Sequence, residues 1–464
     1  MDLLLTHGFF LTDDPKELVV MKPYAPLGIL YLSSYLRSKG FAVEVYDATF
    51  GSREELFAIL QSGPPSVLGI YINLTTRRSA LEIVAVARSN GWTVVLGGPE
   101  PAAYPAEYLA AGAHAIVEGE GEITLQEVLA AFRAGGTGLL DRINGLILPG
   151  EDGSPFRTPS RSLFPDLDAE PLPDRERIDM ERYLRAWRDR HGAGSLSIIT
   201  ARGCPFRCRW CSHSTFGRTC RRRSPQGVAD EVEWVMRRYQ PEMLWMADDV
   251  FTIHHGWILD YAREMRRRGI RIPFECTTRA DRLDVHMADA LADLGCMRVW
   301  IGSESGSQRV LDAMERGVRL EQVRESIRLC RERGIETGMF IIWGYLGEEI
   351  ADIEATIEHA KASLPDTLLT TVAYPIKGTP YYDDVAALLV RSSDWSCGTD
   401  RDAIIRGRPS REFYKFADCL LKSEVALHKI RDGLPFDSAT AKDLNSRIEE
   451  ARRGLYAAAS QLEM

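Results

Sequence analysis

The sequence predicts an α/β protein: an N-terminal doubly wound, Rossmann-like parallel sheet, then a partial (βα)6 TIM-type barrel, then a helical C-terminal region. Three features of the 464 residues predict it. Short β-rich apolar runs alternate with helix-period segments through the first third, the signature of βαβ units. The same alternation returns about six times from Ser195, the repeat of an incomplete barrel. From residue 386 onward only helical periodicity is left.

Taken in order, the first sheet draws on Leu3–Leu5, Ala42–Tyr46, Val67–Ile72, Thr93–Leu96 and Ala115–Val117. Between these lie the helical segments Leu27–Ser38, Ser52–Gln61, Arg78–Ser89 and Ile123–Phe132, the first three closed by Gly40, Gly63 and Gly91. A doubly wound sheet binds ligands beyond the carboxyl ends of its strands, so the loops there carry the function. They are small or hydroxylated: Asn73-Leu74-Thr75-Thr76, Gly97-Gly98-Pro99 and Glu118-Gly119-Glu120-Gly121-Glu122. Glycine in such loops either closes a strand-to-helix turn or lets backbone approach a large flat ligand. Three such loops on one edge favour the ligand.

Residues 143–190 read as a β ribbon (Ile143–Leu148, a Gly150–Gly153 turn, Phe156–Ser162) and an acidic, proline-rich connector over Pro165–Asp174. The barrel strands follow: Leu196–Thr200, Met243–Ala247, Pro273–Thr277, Met297–Ile301, Thr337–Trp343 and Thr367–Ala373. Ser224-Pro225 is a helix N-cap with proline in the first turn, and Gly269, Gly295 and Gly334 follow helix ends. In the tail, Arg411–Ile430 and Ala441–Ala459 are the clearest helices. There Phe413, Phe416, Leu420, Leu421 and Val425 share a packing face.

Composition narrows the class. Hydrophobic content of 45% and charged content of 27% are those of a soluble globular protein. A formal net charge of −9 argues against nucleic acid or an anionic membrane as the main partner. No apolar run approaches the ~20 residues of a membrane span, and Met1-Asp2-Leu3-Leu4-Leu5 has no basic leader. The expected location is the cytoplasm.

The chemistry sits in Arg202-Gly203-Cys204-Pro205-Phe206-Arg207-Cys208-Arg209-Trp210-Cys211. Three thiols on one short loop suit an iron–sulfur cluster, leaving a fourth iron without a protein ligand and open to a small molecule. Zinc would want a second ligand pair, but the next candidates, His213 and Cys220, form no familiar zinc spacing. A disulfide framework does not suit nine cysteines in a long chain. Seven arginines and no carboxylate lie between Ala201 and Ala229. They either balance a cluster's charge or meet an anionic ligand.

The CxxxCxxC loop with Trp210 before its last cysteine resembles the cluster loop of the radical S-adenosylmethionine (SAM) superfamily. The resemblance implies an oxygen-sensitive 4Fe–4S cluster on Cys204, Cys208 and Cys211, with Phe206 and Trp210 of the same loop among the SAM-binding residues. Its open iron would chelate SAM, which is then cleaved to a 5′-deoxyadenosyl radical. Asp248-Asp249, Arg279-Ala280-Asp281, Gly302-Ser303-Glu304-Ser305-Gly306-Ser307 and Gly378-Thr379-Pro380 resemble, strand by strand, stretches of the cobalamin (B12)-binding members. By that resemblance Asp248 or Asp249 holds the SAM ammonium, Arg279 its carboxylate, Ser303 and Glu304 its ribose, and Trp343, Gly344 and Tyr345 the adenine.

Pro26-Leu27-Gly28-Ile29-Leu30-Tyr31-Leu32 and the GG-P and GEGE loops likewise resemble the cobalamin-binding domain of those enzymes. They imply corrin contacts at Leu74, Thr75, Gly97, Gly98, Gly119, Glu120 and Gly121. The histidine closing the first strand, His7 after Thr6, either faces the corrin or is a hydrogen-bonded loop histidine. The DxHxxG cobalt-ligand pattern is absent, since Asp284-Val285-His286 lacks its glycine.

The implied layout is residues 1–142 cobalamin-binding, 143–190 ribbon and linker, 191–385 radical SAM barrel, and 386–464 helical. The implied activity is methyl transfer from SAM through methylcobalamin to an unactivated carbon of a small molecule. The electron would come from a flavodoxin- or ferredoxin-type reductant. Two rivals stand beside it: a non-methylating oxidation, cyclisation or ring rearrangement with both cofactors, and a sensor without catalysis. Methylthiolation is disfavoured, because no cysteine precedes Cys204.

Overall fold

The computed structural model describes residues 1–213, 215–390, 395–432 and 438–463. The chain forms two compact units, Met1–Pro205 with Ser212–Trp245 and Asp394–Thr399, and Phe206–Cys211 with Met246–Ser393 and Asp400–Met464. This grouping runs across the segments marked out by sequence, because stretches distant in the chain fold together.

The first unit is built on β1 (Leu3–His7), β2 (Val43–Val45), β3 (Val67–Tyr71), β4 (Thr93–Gly97), β5 (Ala115–Val117), β6 (Leu146–Pro149) and β7 (Pro155–Arg157). Their order is β2-β1-β3-β4-β5-β6-β7. The first five pair in parallel, and the order reverses between β1 and β3, the switch point of a doubly wound sheet. The expected ribbon is no appendage: β6 pairs antiparallel with β5 and carries β7, extending the sheet.

Alternation builds the two faces. Leu3 and Leu5 join one apolar layer with Leu36 and Leu129. Leu4 joins the other with Leu68, Val94, Leu96 and Trp92. Both faces are covered, which is why these strands read as unbroken apolar runs. Trp92 is fully buried and donates its Nε1–H to the Leu60 carbonyl at 2.8 Å.

One expectation needs correction. The stretch taken as linker contains a helix, Met180–His191, capped by the Asp179 carboxylate on the Arg182 N–H. Tyr183, Leu184 and Trp187, at helical spacing, are its buried face. After it come β8 (Ser195–Ile198), a two-stranded ribbon of β9 (Ala201–Arg202) and β10 (Arg221–Arg222), and the helix Pro225–Tyr239. Ser224 caps that helix by accepting from the Gly227 N–H at 3.0 Å. β11 (Met243–Met246) ends the set.

The second unit carries β12 (Phe274–Thr278), β13 (Cys296–Glu304), β14 (Glu336–Trp343) and β15 (Thr367–Val372). Each pairs in parallel with the next in chain order, without the reversal seen in the first sheet. That is the winding of a barrel wall, and all six expected strands are present, counting β8 and β11. The tail helices are Arg411–Arg431 and Ser438–Ala458. Phe413, Leu420, Leu421 and Val425 are buried. Phe416 fills the place where a Cβ on Gly454 would come within 2.4 Å of its ring. Among the described residues no helix is long and apolar enough to cross a membrane.

Trp92→Ala removes a fully buried tryptophan side chain and its hydrogen bond. It should destabilise the first unit by about 3–5 kcal/mol, read as a lower denaturant midpoint or a lower first transition in calorimetry.

Candidate functional site

The cysteine loop is prepared within the first unit by a buried ionic clasp. Arg202 precedes Cys204 by two residues. Its Nη1 donates to Glu120 Oε1 at 2.9 Å and lies 2.9 Å from Glu122 Oε1, while Nη2 donates to Glu170 Oε2 at 2.6 Å. Burial opposes the charge on Arg202, but Glu122, Glu170 and Glu120 outweigh it and hold the guanidinium firmly cationic. Burial pushes the Glu170 carboxyl up to about 8, with Arg202 pulling it down and Glu122 adding to the rise.

A second clasp holds the strand before it. Glu231, fully buried, is paired by Arg175 at 2.7 Å and by Arg223, and Arg175 Nη2 donates to the Ser197 carbonyl in β8 at 2.9 Å. Between the two clasps Gly203 adopts φ +85, and a Cβ there would sit 2.5 Å from the Thr219 carbonyl oxygen, so only glycine fits the turn into the cysteines.

Glu120 is therefore not free to meet a corrin. It also accepts from Arg221 Nη2 at 2.9 Å and from the Phe164 N–H at 2.6 Å, so its role is to fix the loop. Gly121 is likewise packed, since a Cβ would meet Leu32 at 3.0 Å. Of the two readings of His7, the geometry supports the hydrogen-bonded loop histidine. The ring is buried, its Nδ1 accepts from the Phe9 N–H at 3.2 Å, and its Nε2 sits 3.1 Å from Asp47 Oδ1. Both nitrogens are engaged.

What the ligand edge of the first sheet does offer is backbone and one ring. Nothing would lie within 4 Å of a Cβ on Gly97. Gly98, at φ +101, passes so close to the Ile72 carbonyl (2.4 Å from a Cβ) that no side chain fits. Gly119 is open, with its nearest neighbour at 3.8 Å. Thr75 is exposed and Leu74 half-buried, on a turn where the Asn73 side chain accepts from the Thr75 N–H at 3.0 Å. Tyr71, the last residue of β3, is 38% exposed, yet surrounding protein raises its hydroxyl. The sequence reading passed over Tyr71 because a strand-end tyrosine carries no pattern of its own.

In the second unit the remaining cysteines lie on a braced loop. The Arg209 N–H donates to the Met314 carbonyl at 3.1 Å, the Tyr381 N–H to the Arg209 carbonyl at 3.0 Å, and the Cys211 N–H to the Cys208 carbonyl at 3.2 Å. Trp210 packs against the apolar cluster of Met314, Ile342, Tyr345 and Tyr381. Arg209 is anchored outside by Asp384 and Glu315. Cys208 is buried, Cys204 partly buried and Cys211 exposed. Among the described residues no three His, Cys, Asp or Glu side chains are gathered to hold a metal ion. The donor chemistry nonetheless fits an iron–sulfur cluster: three soft thiols on one loop, with guanidinium N–H groups aimed at the sulfur of Cys208.

Those guanidiniums correct the role expected of Arg279. Its Nε and Nη2 donate to Asp281 at 2.8 and 3.2 Å, Nη2 also to the Arg316 carbonyl at 2.8 Å, and Nη1 to Cys208 Sγ at 3.7 Å. Its charge lies 3.6 Å from the centroid of the Phe206 ring. Every nitrogen is used, and none is left for a carboxylate fork.

Ser303 is corrected as well. It lies 3.4 Å from His359 Nε2 and is wholly buried, as is Ser305 beside Thr356. Burial lowers His359 to about 4, with Arg324 adding to the effect. A register shift between Gly302 and Glu304 leaves Glu304 in a different setting. Glu304 stands at φ +63, a conformation costly for a side chain of its size. Burial raises its carboxyl, and Arg316, 3.5 Å away, opposes the rise.

Nearby buried polar atoms lack hydrogen bonds. Trp343 Nε1 and Arg316 Nε are buried without a hydrogen bond, which suits a polar ligand such as a nucleoside. Gly344 donates its N–H to Glu348 Oε2 at 2.5 Å, and burial pushes Glu348 up to about 8 against that bond. Tyr345 is core, stacked on Tyr381 at 4.6 Å. Asp248 is buried, and Asp249 is exposed with its carboxyl raised by crowding and by Asp248. Arg316 and Glu348 escaped the sequence reading, as neither sits in a recognisable motif.

Two outcomes follow. Arg202→Met takes the cation from Glu122 and Glu170 and leaves Arg221 as the cation on Glu120, and should cost about 3–5 kcal/mol, seen as a lowered unfolding midpoint. A carboxyl raised on folding favours the protonated protein, so the Glu348 contribution is complete below the ordinary glutamate range and is lost as pH rises through about 8. Glu348→Gln should flatten part of the fall in melting temperature between pH 5 and 8, leaving the share that Glu170 contributes with the same sign.

Residues 198–360 match the Radical SAM superfamily model, and residues 18–129 match the B12 binding domain. An uncharacterized methyltransferase of Pyrococcus horikoshii is 28% identical over 407 residues, covering 85% of this chain and 86% of the relative. An anaerobic magnesium-protoporphyrin IX monomethyl ester cyclase of Rubrivivax gelatinosus is 27% identical over 355 residues, covering 74% of this chain and 63% of the cyclase. Among solved structures, the radical S-adenosylmethionine methyltransferase TsrM of Kitasatospora setae, with cobalamin and a 4Fe–4S cluster bound, shares the fold. Its TM-score is 0.69 at 23% identity, over 83% of this chain and 75% of that one.

Proposed function

The chain belongs to the cobalamin-binding radical SAM enzymes, and from that premise we propose that it is a C-methyltransferase carrying a methyl group from SAM, by way of cobalamin, to an unactivated carbon of a small molecule. The observation that carries this reading is the match along 85% of the chain to a methyltransferase, with both cofactor modules present in order. When bound, the cluster with SAM supplies a hydrogen-abstracting radical and cobalamin supplies the methyl group.

The protein's own part is placement. Cys204, Cys208 and Cys211 hold the cluster, with Phe206 and Trp210 stiffening the loop between them. Asp248, Asp249, Glu304, Trp343 and Gly344 hold SAM, the buried indole N–H of Trp343 offering it a hydrogen bond. The backbone at Gly97, Gly98 and Gly119, with Leu74, Thr75 and Tyr71, takes the corrin. Apolar walls from β14 keep water from the radical. A flavodoxin- or ferredoxin-type partner supplies the electron, and the reducing cytoplasm keeps the thiols available.

The cyclase at 27% identity favours a second reading, a cyclisation or oxidation that uses both cofactors and transfers no methyl group. Protein purified without oxygen, loaded with iron, sulfide and hydroxocobalamin, and incubated with SAM and a low-potential reductant separates them. We expect 5′-deoxyadenosine together with S-adenosylhomocysteine, and Cys204→Ala should abolish the deoxyadenosine while retaining the corrin. Deoxyadenosine without S-adenosylhomocysteine transfers the case to the cyclase-like reading. A loaded protein that forms neither product sinks both.

A further inference from the structure

We propose that Arg279 and Arg316 set the reduction potential of the cluster by donating to the sulfur of Cys208, as tuning residues and not as ligands of SAM or substrate. The inference rests on the cluster assignment above. Arg279 Nη1 lies 3.7 Å and Arg316 Nη1 3.6 Å from Cys208 Sγ, within reach of N–H···S hydrogen bonds. Both side chains are buried, so neither donor is shared with bulk water.

Each is held in place by other contacts. Arg279 is forked onto Asp281, bonded to the Arg316 carbonyl and laid against the Phe206 ring. Arg316 Nη2 donates to the Gly302 carbonyl at 2.9 Å. The Arg279–Arg316 carbonyl bond joins the two, so the pair approaches the sulfur as one unit. Asp281 offsets one of the two positive charges. Glu304, buried and 3.5 Å from Arg316, offsets the other weakly, because burial disfavours its ionised form.

A cluster gains one negative charge on reduction. Fixed donors and positive charge at a ligand sulfur stabilise the reduced state more than the oxidised one, and more strongly where water is excluded. Losing either guanidinium therefore makes the cluster harder to reduce. Low-potential reductants have little to spare for this step, so the pair keeps the cluster within their reach.

The test is a redox titration of the reconstituted full-length protein without SAM, followed by electron paramagnetic resonance of the reduced cluster. Arg316→Gln should leave at least tenfold less reduced cluster relative to oxidised at the wild-type midpoint, a fall of about 59 mV for one electron. Arg316→Lys and Arg279→Lys keep a charge but cannot form the same fork. They should shift the midpoint the same way by less, and they read the effect even if the glutamine variant does not load. Loaded variants that keep the wild-type midpoint overturn the proposal, including the case in which only the KM for SAM rises. A wild-type protein that holds no cluster overturns the assignment beneath it instead.

Discussion

The structure depends on one buried guanidinium. Arg202 stands two residues before the first cysteine and is enclosed by the carboxylates of Glu120, Glu122 and Glu170. Taking an ion and its counter-charges out of water costs several kcal/mol each, and here their mutual attraction and hydrogen bonds offset it. The arrangement therefore tolerates little displacement. The loop after β5, the connector at Glu170 and the entry to the cysteine loop are placed by the same few bonds.

That clasp gives the Gly-Glu-Gly-Glu loop a divided character. Gly119 leaves backbone open on the ligand edge, whereas Glu120 and Glu122 turn inward to Arg202. Four of the seven arginines around the cysteines are met by carboxylates from elsewhere in the chain. Arg202, Arg221 and Arg223 answer carboxylates brought from Glu120, Glu170 and Glu231, and Arg209 answers Asp384 and Glu315. The positive run that looks unbalanced in the chain is in large part paired in the fold.

The second unit shows the same economy at strand ends. In Gly302-Ser303-Glu304-Ser305-Gly306-Ser307 the serines turn to the helix Ile350–Ser363, where Thr356, His359 and Asp352 receive them. Glu304 alone stands apart, in a strained conformation beside Arg316. A motif of six residues thus has three serines packed onto one helix and one side chain set apart from them.

The order of strands and helices was legible from the chain, since period-2 and period-3.6 apolar patterns and helix-ending glycines are local signals. So were the cysteine loop and the glycine loops, whose chemistry lies in residues adjacent in sequence. The helix Met180–His191 was overlooked because a proline-rich, acidic stretch masked the spacing of Tyr183, Leu184 and Trp187. The roles of His7, Glu120, Arg279 and Ser303 were decided only by tertiary structure. A polar side chain can serve a ligand or the protein, and the choice falls to whichever partner the fold brings within about 3 Å. Glu120 and Ser303 find that partner far along the protein's own chain, and so in part do His7 at Asp47 and Arg279 at the Arg316 carbonyl, at separations no local pattern records.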